Sequence, residues 1–308
     1  MPILRPMNAP APQAPIGVFD SGIGGLSVLR ALQAELPHER FVYLADTGHA
    51  PYGERGDAFV IARSHAIAAW LRRAQGIKAL VVACNTATAA AVHALRQRHP
   101  ALIVVGVEPA LKPAVAVTRT GRIGVMATRG TLASAKFAQL LQSLQGQAAF
   151  ALQACDGLAD AIEQAAAPGP GAEDKQNALK IEALCARYTS AMGPFGTQTG
   201  ALDTLVLGCT HYVFAQEVLR RLVGPDVQLV ETGAPVARHT RRRLAQAGLL
   251  APDDAPGALR LFSTGDPARL HAAAVRWLQA GVDAAEAVAL PTSDSPGCVS
   301  PSLGPGPA

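Results

Sequence analysis

A membrane-spanning segment, an export signal and a disulfide framework are all missing from this sequence. No apolar run reaches the roughly 18 residues needed to cross a bilayer. The opening MPILRPMNAPAPQAP places three prolines in its last six residues, where a signal peptide needs an apolar core. The five cysteines (84, 155, 185, 209 and 298) are odd in number and widely spaced, with no C-x-x-C. Free thiols in a reducing cytosol are therefore expected, and no membrane partner. Charge is sparse, at 16% of residues, with a net +4. The one dense basic run, RHTRRRL (238–244), lies on a helical pattern and reads as a solvated face, so no nucleic-acid partner is expected. With 49% hydrophobic residues and so little charge, the chain is globular and not disordered.

The chain has 308 residues, about twice a common domain, so two domains are expected. Both ends are rich in Pro, Gly or Ser and read as unstructured. Between them, short apolar strands alternate with helical stretches: IGVF (16–19), FVYLA (41–45), ALVVA (79–83), IVVGV (103–107), RIGVMA (122–127), TLVLG (204–208) and VQLVE (227–231). This rhythm predicts an α/β fold of parallel sheets covered on both faces. AAAPGPGAEDKQ (165–176) reads as a surface loop. Two echoes occur in the same order: IGVFDSG (16–22) with IGVMATRG (123–130), and ALVVACNT (79–86) with TLVLGCTH (204–211). They suggest two related halves.

In parallel α/β sheets the working crevice lies beyond the carboxyl ends of the strands. Four strands here end in polar clusters: DSGIGG (20–25), DTGHAPYGER (46–55), CNTAT (84–88) and CTHY (209–212). Backbone N–H groups, hydroxyls, an amide and two thiols suit carboxylates. Taken singly, Cys155, Cys185 and Cys298 read as small buried hydrophobes. Cys84 and Cys209 differ, because hydrogen-bonding residues follow each directly, and His211 stands close enough in sequence to share a proton with Cys209. Two thiols facing across a cleft can exchange a proton on opposite faces of one carbon, and an ordinary thiol pKa of about 8.5 serves either role. None of the five lysines stands in these clusters, so a pyridoxal Schiff base is not expected.

The motifs GVFDSGIGGLSVL, YLADTGHAPYGER, VVACNTATA, GVEPA, IGVMATRGT, LVLGCTHY and STGDP run in order from about residue 16 to 266. Together they resemble the cofactor-independent aspartate/glutamate racemases, the glutamate racemases in particular. The resemblance implies an isomerase that interconverts L- and D-glutamate in the cytoplasm, supplying D-glutamate for peptidoglycan and hence for cell-wall biogenesis and cell shape. It implies two pseudo-symmetric parallel-sheet α/β domains with the active site in the cleft between them: residues 15–107 plus 218–281, and residues 108–217. Residues 1–14 and 282–308 would lie outside as disordered extensions. Homodimers are common in the family. By resemblance, Cys84 and Cys209 are the acid/base thiols. Asp20 assists Cys84, and His211 and Glu163 assist Cys209. Substrate contacts fall on Asp20, Ser21, Tyr52, Gly53, Asn85, Thr86, Thr210 and His211, with no metal.

Other readings remain at this level. GIGGLS (22–27) after a strand, with Asp46 ending the next, partly matches a dinucleotide-binding dehydrogenase, but Ser27 replaces the third glycine and Asp20 would face the pyrophosphate. Cys84, Cys209 and His211 could be offered as zinc ligands, although C-x-H is not a usual spacing and no fourth ligand stands out. A non-catalytic amino-acid-binding protein would merely pack both thiols. Aspartate racemase, or another two-cysteine isomerase of the same fold, is the nearest competitor.

Overall fold

The computed structural model describes residues 11–165, 172–278 and 282–291. Cys298 and most of the proline-rich ends lie outside them. In chain order the strands are β1 (Ile16–Asp20), β2 (Arg40–Ala45), β3 (Ala79–Val82), β4 (Ile103–Gly106), β5 (Arg122–Ala127), β6 (Ala149–Ala154), β7 (Thr204–Leu207), β8 (Gln228–Val230), β9 (Ala258–Ser263) and β10 (Glu286–Ala287). The helices are α1 (Leu26–Glu35), α2 (Asp57–Gln75), α3 (Asn85–Arg98), α4 (Leu111–Val117), α5 (Arg129–Ala133), α6 (Ala135–Gln142), α7 (Leu158–Gln164), α8 (Ala172–Met192), α9 (Gln216–Val223), α10 (Gly233–Gln246) and α11 (Pro267–Leu278).

The central apolar runs form strands because they are buried on both faces. In β3, Ala79 and Val81 enter one core cluster while Leu80 and Val82 enter the other. In β7, Leu205 and Leu207 face one cluster and Val206 the next. A side-chain period of two puts successive residues on opposite faces, so burial on both sides leaves no polar position in the run.

Two parallel sheets result, in the orders β10-β9-β2-β1-β3-β4 and β6-β5-β7-β8. The segments 2-1-3-4 and 6-5-7-8 have the same winding, which makes the two echoes in the sequence the equivalents β1/β5 and β3/β7. In each sheet the chain runs from its central strand to one neighbour and then returns to the other side. That reversal opens a crevice at the carboxyl ends of β1 and β3, and again at those of β5 and β7. Among the described residues, no helix is long and apolar enough to cross a membrane.

Three expectations shift. The return to the first sheet comes later than residue 218, because β8 pairs in parallel with β7 and Leu219, Val223 and Val227 join the core beside it. Helix α10 then crosses back, burying Val236, Ala237 and Leu244 with residues of α1. The described structure extends into both of the ends that composition suggests are unstructured. The buried Lys78 ammonium, with no water to solvate it, bonds the Pro12 carbonyl and pairs with Glu39. At the other end, β10 pairs with β9 while Val288 and Leu290 pack on the core. The loop expected over 165–176 is truncated by α8, which begins at Ala172, and residues 166–171 lie outside the description.

Candidate active site

The two crevices face one another, and one cavity of about 700 Å³, counting its open mouth, lies between them. Every catalytic or substrate-contact candidate from the sequence lines it. Asp20, Ser21, Tyr52, Gly53, Cys84, Asn85 and Thr86 come from the first half, and Glu163, Cys209, Thr210 and His211 from the second.

Cys84 stands just past β3 and caps α3, its sulfur accepting from the Ala87 N–H at 3.4 Å. A helix N-terminus favours a sulfur anion. Against this stand burial, which pushes the thiol well above its usual range, and then the neighbouring charge of Asp20. Ser21 Oγ lies 3.8 Å from the sulfur. Asp20 is fully buried at the end of β1, and burial raises its pKa. Its carboxylate accepts from the Ser21 N–H at 2.7 Å and from the Thr210 hydroxyl at 3.2 Å. The Asn85 amide, also buried, has no protein partner for either its oxygen or its nitrogen among the described residues. Such an amide suits a polar ligand in the cavity.

On the opposite side, Cys209 stands just past β7 with its sulfur 3.7 Å from His211 Nδ1. The other ring nitrogen, Nε2, lies 2.7 Å from Glu163 Oε2. Burial opposes charging of this imidazole, but the bonds to Cys209 and Glu163 outweigh it and raise the His211 pKa well above its usual value. Glu163, on α7, also accepts from the Ile23 N–H at 2.9 Å, which fastens it to the glycine turn after β1.

That turn explains GIGG without a nucleotide. A Cβ on Gly22 would strike the Glu163 carboxylate, and one on Gly24 would strike His211 and Thr210. The glycines let the Glu163–His211 pair approach the first half. Asp46 does not stand free as a ribose acceptor either. Fully buried, it accepts from Tyr52 Oη at 2.5 Å, Arg63 Nη2 at 2.7 Å, Arg63 Nε at 3.0 Å and Thr264 Oγ1 at 2.8 Å. This cluster holds the Tyr52–Glu54 turn against the cavity.

Residues 16–240 match the Asp/Glu/Hydantoin racemase family. A glutamate racemase from Ectopseudomonas mendocina is 48% identical over 84% of this chain and 93% of its own. The chain belongs to the glutamate racemases of that family. Another, from Cupriavidus pinatubonensis, is 49% identical over 84% of this chain and 89% of its own. Among solved structures, a glutamate racemase isoform from Bacillus anthracis superposes with a TM-score of 0.74 at 31% identity, covering 89% of this chain and 96% of that one. The Escherichia coli glutamate racemase, solved with L-glutamate and the activator UDP-MurNAc-Ala, gives a TM-score of 0.73 at 28% identity over 90% of this chain and 99% of that one. As a member of the family, the chain is an isomerase with its two-domain α/β fold, and the dehydrogenase and simple binding-protein readings fall away.

The cavity also holds residues that the motifs did not reveal. Thr128 and Arg129 come after β5, Asp156 comes after β6, and Glu54 and Asp160 complete the rim. The echo of residues 16–22 in 123–130 carried a usable signal, since Thr128 and Arg129, in the turn after β5, occupy the places equivalent to Ser21 and Gly22. Cys155 and Cys185 are buried in the core of the second half, Cys155 also lining the cavity, and burial pushes their thiols up, that of Cys185 to about 12.

Proposed function

We propose that the protein interconverts L- and D-glutamate without a cofactor, by proton transfer between its α-carbon and two thiols, Cys84 and Cys209. The observation that carries this reading is that the two cysteines stand at the ends of equivalent strands in opposite halves and line one cavity, each beside its own acid/base partner. Cys209, as thiolate, takes the α-proton of L-glutamate, and an imidazolium on His211 held by Glu163 keeps positive charge beside that sulfur. The Cys84 thiol gives its proton to the opposite face, leaving D-glutamate and a Cys84 thiolate; the reverse sequence converts D to L. Asp20 serves as the proton partner of Cys84. The Asn85 amide, the hydroxyls of Ser21, Thr86 and Thr210, and the N–H groups opening α3 bind the carboxylates and stabilise the charge that develops next to them. The Tyr52–Gly53 turn offers its backbone, since the Tyr52 hydroxyl is already committed to Asp46.

The resemblance to the glutamate racemases implies that the D-glutamate would enter peptidoglycan synthesis in the cytoplasm, linking the enzyme to cell-wall biogenesis and cell shape. The test is incubation of L-glutamate with purified protein in heavy water, with L-aspartate in parallel. D-Glutamate deuterated at the α-carbon is the expected product. Turnover of aspartate alone, or no deuterium at the α-carbon, would refute the proposal.

A further inference from the structure

The cavity is electrostatically odd for a substrate bearing two carboxylates. Its lining carries five acidic side chains, Asp20, Glu54, Asp156, Asp160 and Glu163, and, among the described residues, a single Arg or Lys, Arg129. Arg129 opens α5, directly after the Thr128 cap at the end of β5. Its side chain is 71% exposed and pairs with Asp156 at 2.5 Å, itself 49% exposed. The pair thus sits at the mouth, away from the buried thiols. The Asp156 backbone is fixed, because its carbonyl accepts from the Tyr188 hydroxyl at 2.6 Å. An exposed ion pair adds little net stability, so a guanidinium there exchanges one carboxylate for another at small cost. Its planar fork also suits bidentate capture of the newcomer.

We propose that Arg129 is the charge-selecting residue of the cavity: it trades Asp156 for a carboxylate of the incoming dicarboxylic amino acid. Asp156 is its competitor, reclaiming the guanidinium as product leaves. The acidic lining repels any anion that the arginine does not hold, so capture of glutamate at the mouth depends on this guanidinium; the His211 imidazolium is buried and committed to Glu163 and Cys209. A neutral amino acid, with one carboxylate and no net charge, gains less from it. The inference rests on glutamate as substrate and assigns the residue that selects its net negative charge.

The experiment compares wild type, R129Q, R129K and D156N in steady-state racemisation of glutamate over a range of ionic strength. For R129Q, KM should rise about tenfold or more, with kcat within about twofold of wild type. Added salt should depress kcat/KM of wild type by screening an attraction, and should leave it flat or raise it for R129Q, where only repulsion remains. R129K, which keeps the charge without the fork, should recover part of the lost affinity, and D156N should bind glutamate more tightly than wild type. An unchanged KM and salt response in R129Q would overturn the inference. So would a loss confined to kcat, or a failure of R129K to recover affinity. Glutamate turnover by wild type tests the proposed function by itself: without it, both proposals fall, and with it, the ratio of R129Q to wild type judges Arg129 alone.

Discussion

At the scale of single residues, the proposed mechanism divides the site into two sulfurs and the groups that set their protons. Replacing either sulfur with a hydroxyl keeps the shape and puts a far weaker acid in place of a thiol. Cys84→Ser and Cys209→Ser should each lower kcat by about 100- to 10,000-fold, the usual worth of a positioned acid or base. Polarimetry with glutamate checks this, and near-normal turnover in either variant would refute the two-thiol mechanism. The His211–Glu163 pair makes a second prediction, in pH. The folded pKa of His211 lies above its ordinary value, so the imidazolium is favoured in the folded state. Its contribution to stability is whole below about pH 6.5 and is lost as pH rises through the raised folded value. L-to-D turnover should therefore fall on the alkaline side as the positive charge beside Cys209 disappears. Glu163→Gln removes the anion that supports the imidazolium, so that alkaline limb should move to lower pH. A limb that stays in place would mean that Glu163 does not hold the proton on His211.

At the scale of elements, the working pieces are strand ends and the turns beyond them. The Tyr52–Glu54 turn has no sheet to fix it and depends on the Asp46 carboxylate, which binds Tyr52, Arg63 and Thr264 together. Asp46→Asn puts amide hydrogens against the donors of Arg63 and strands a guanidinium that is 3% exposed. Breaking such a buried pair costs about 3–5 kcal/mol. Denaturant melts should show that loss, and KM for glutamate should rise as the turn loosens. A folded variant with unaltered KM would show that the turn holds itself. The same scale shows what the sequence could reveal. Cys84 and Cys209 were legible as candidates because each ends a run buried on both faces and is followed directly by hydrogen-bonding side chains. Strands β6 and β9 were not, because partial exposure leaves Gln153 and Arg260 among their apolar residues and blurs the pattern. Asp46 was visible as an acid at a strand end, but its partners at 63 and 264 are remote in sequence. Arg129 read as a turn residue, since only the meeting of the two halves makes it the lone Arg or Lys among the described residues of the cavity.

At the scale of the whole molecule, two copies of one winding face each other, and their polar contacts concentrate at the site. Glu163 reaches the Ile23 N–H, Thr210 reaches Asp20, Ser27 reaches the Thr210 carbonyl, and Thr86 lies 3.2 Å from Thr128. These links are short-armed, and the cavity separates the halves around them. A ligand that binds both walls adds contacts that the unfolded chain cannot make. At one hundred times its dissociation constant, it should stabilise the folded state by about 2.7 kcal/mol. Glutamate of either hand should therefore raise the thermal midpoint by a few degrees, while a monocarboxylate such as alanine, which cannot reach both walls, should raise it less. If the halves melt separately without ligand, glutamate should draw the two transitions together, because each half then completes the other's binding site. Differential scanning calorimetry across a glutamate titration reads both effects. Unmoved transitions at saturating glutamate would mean that the substrate does not span the cleft.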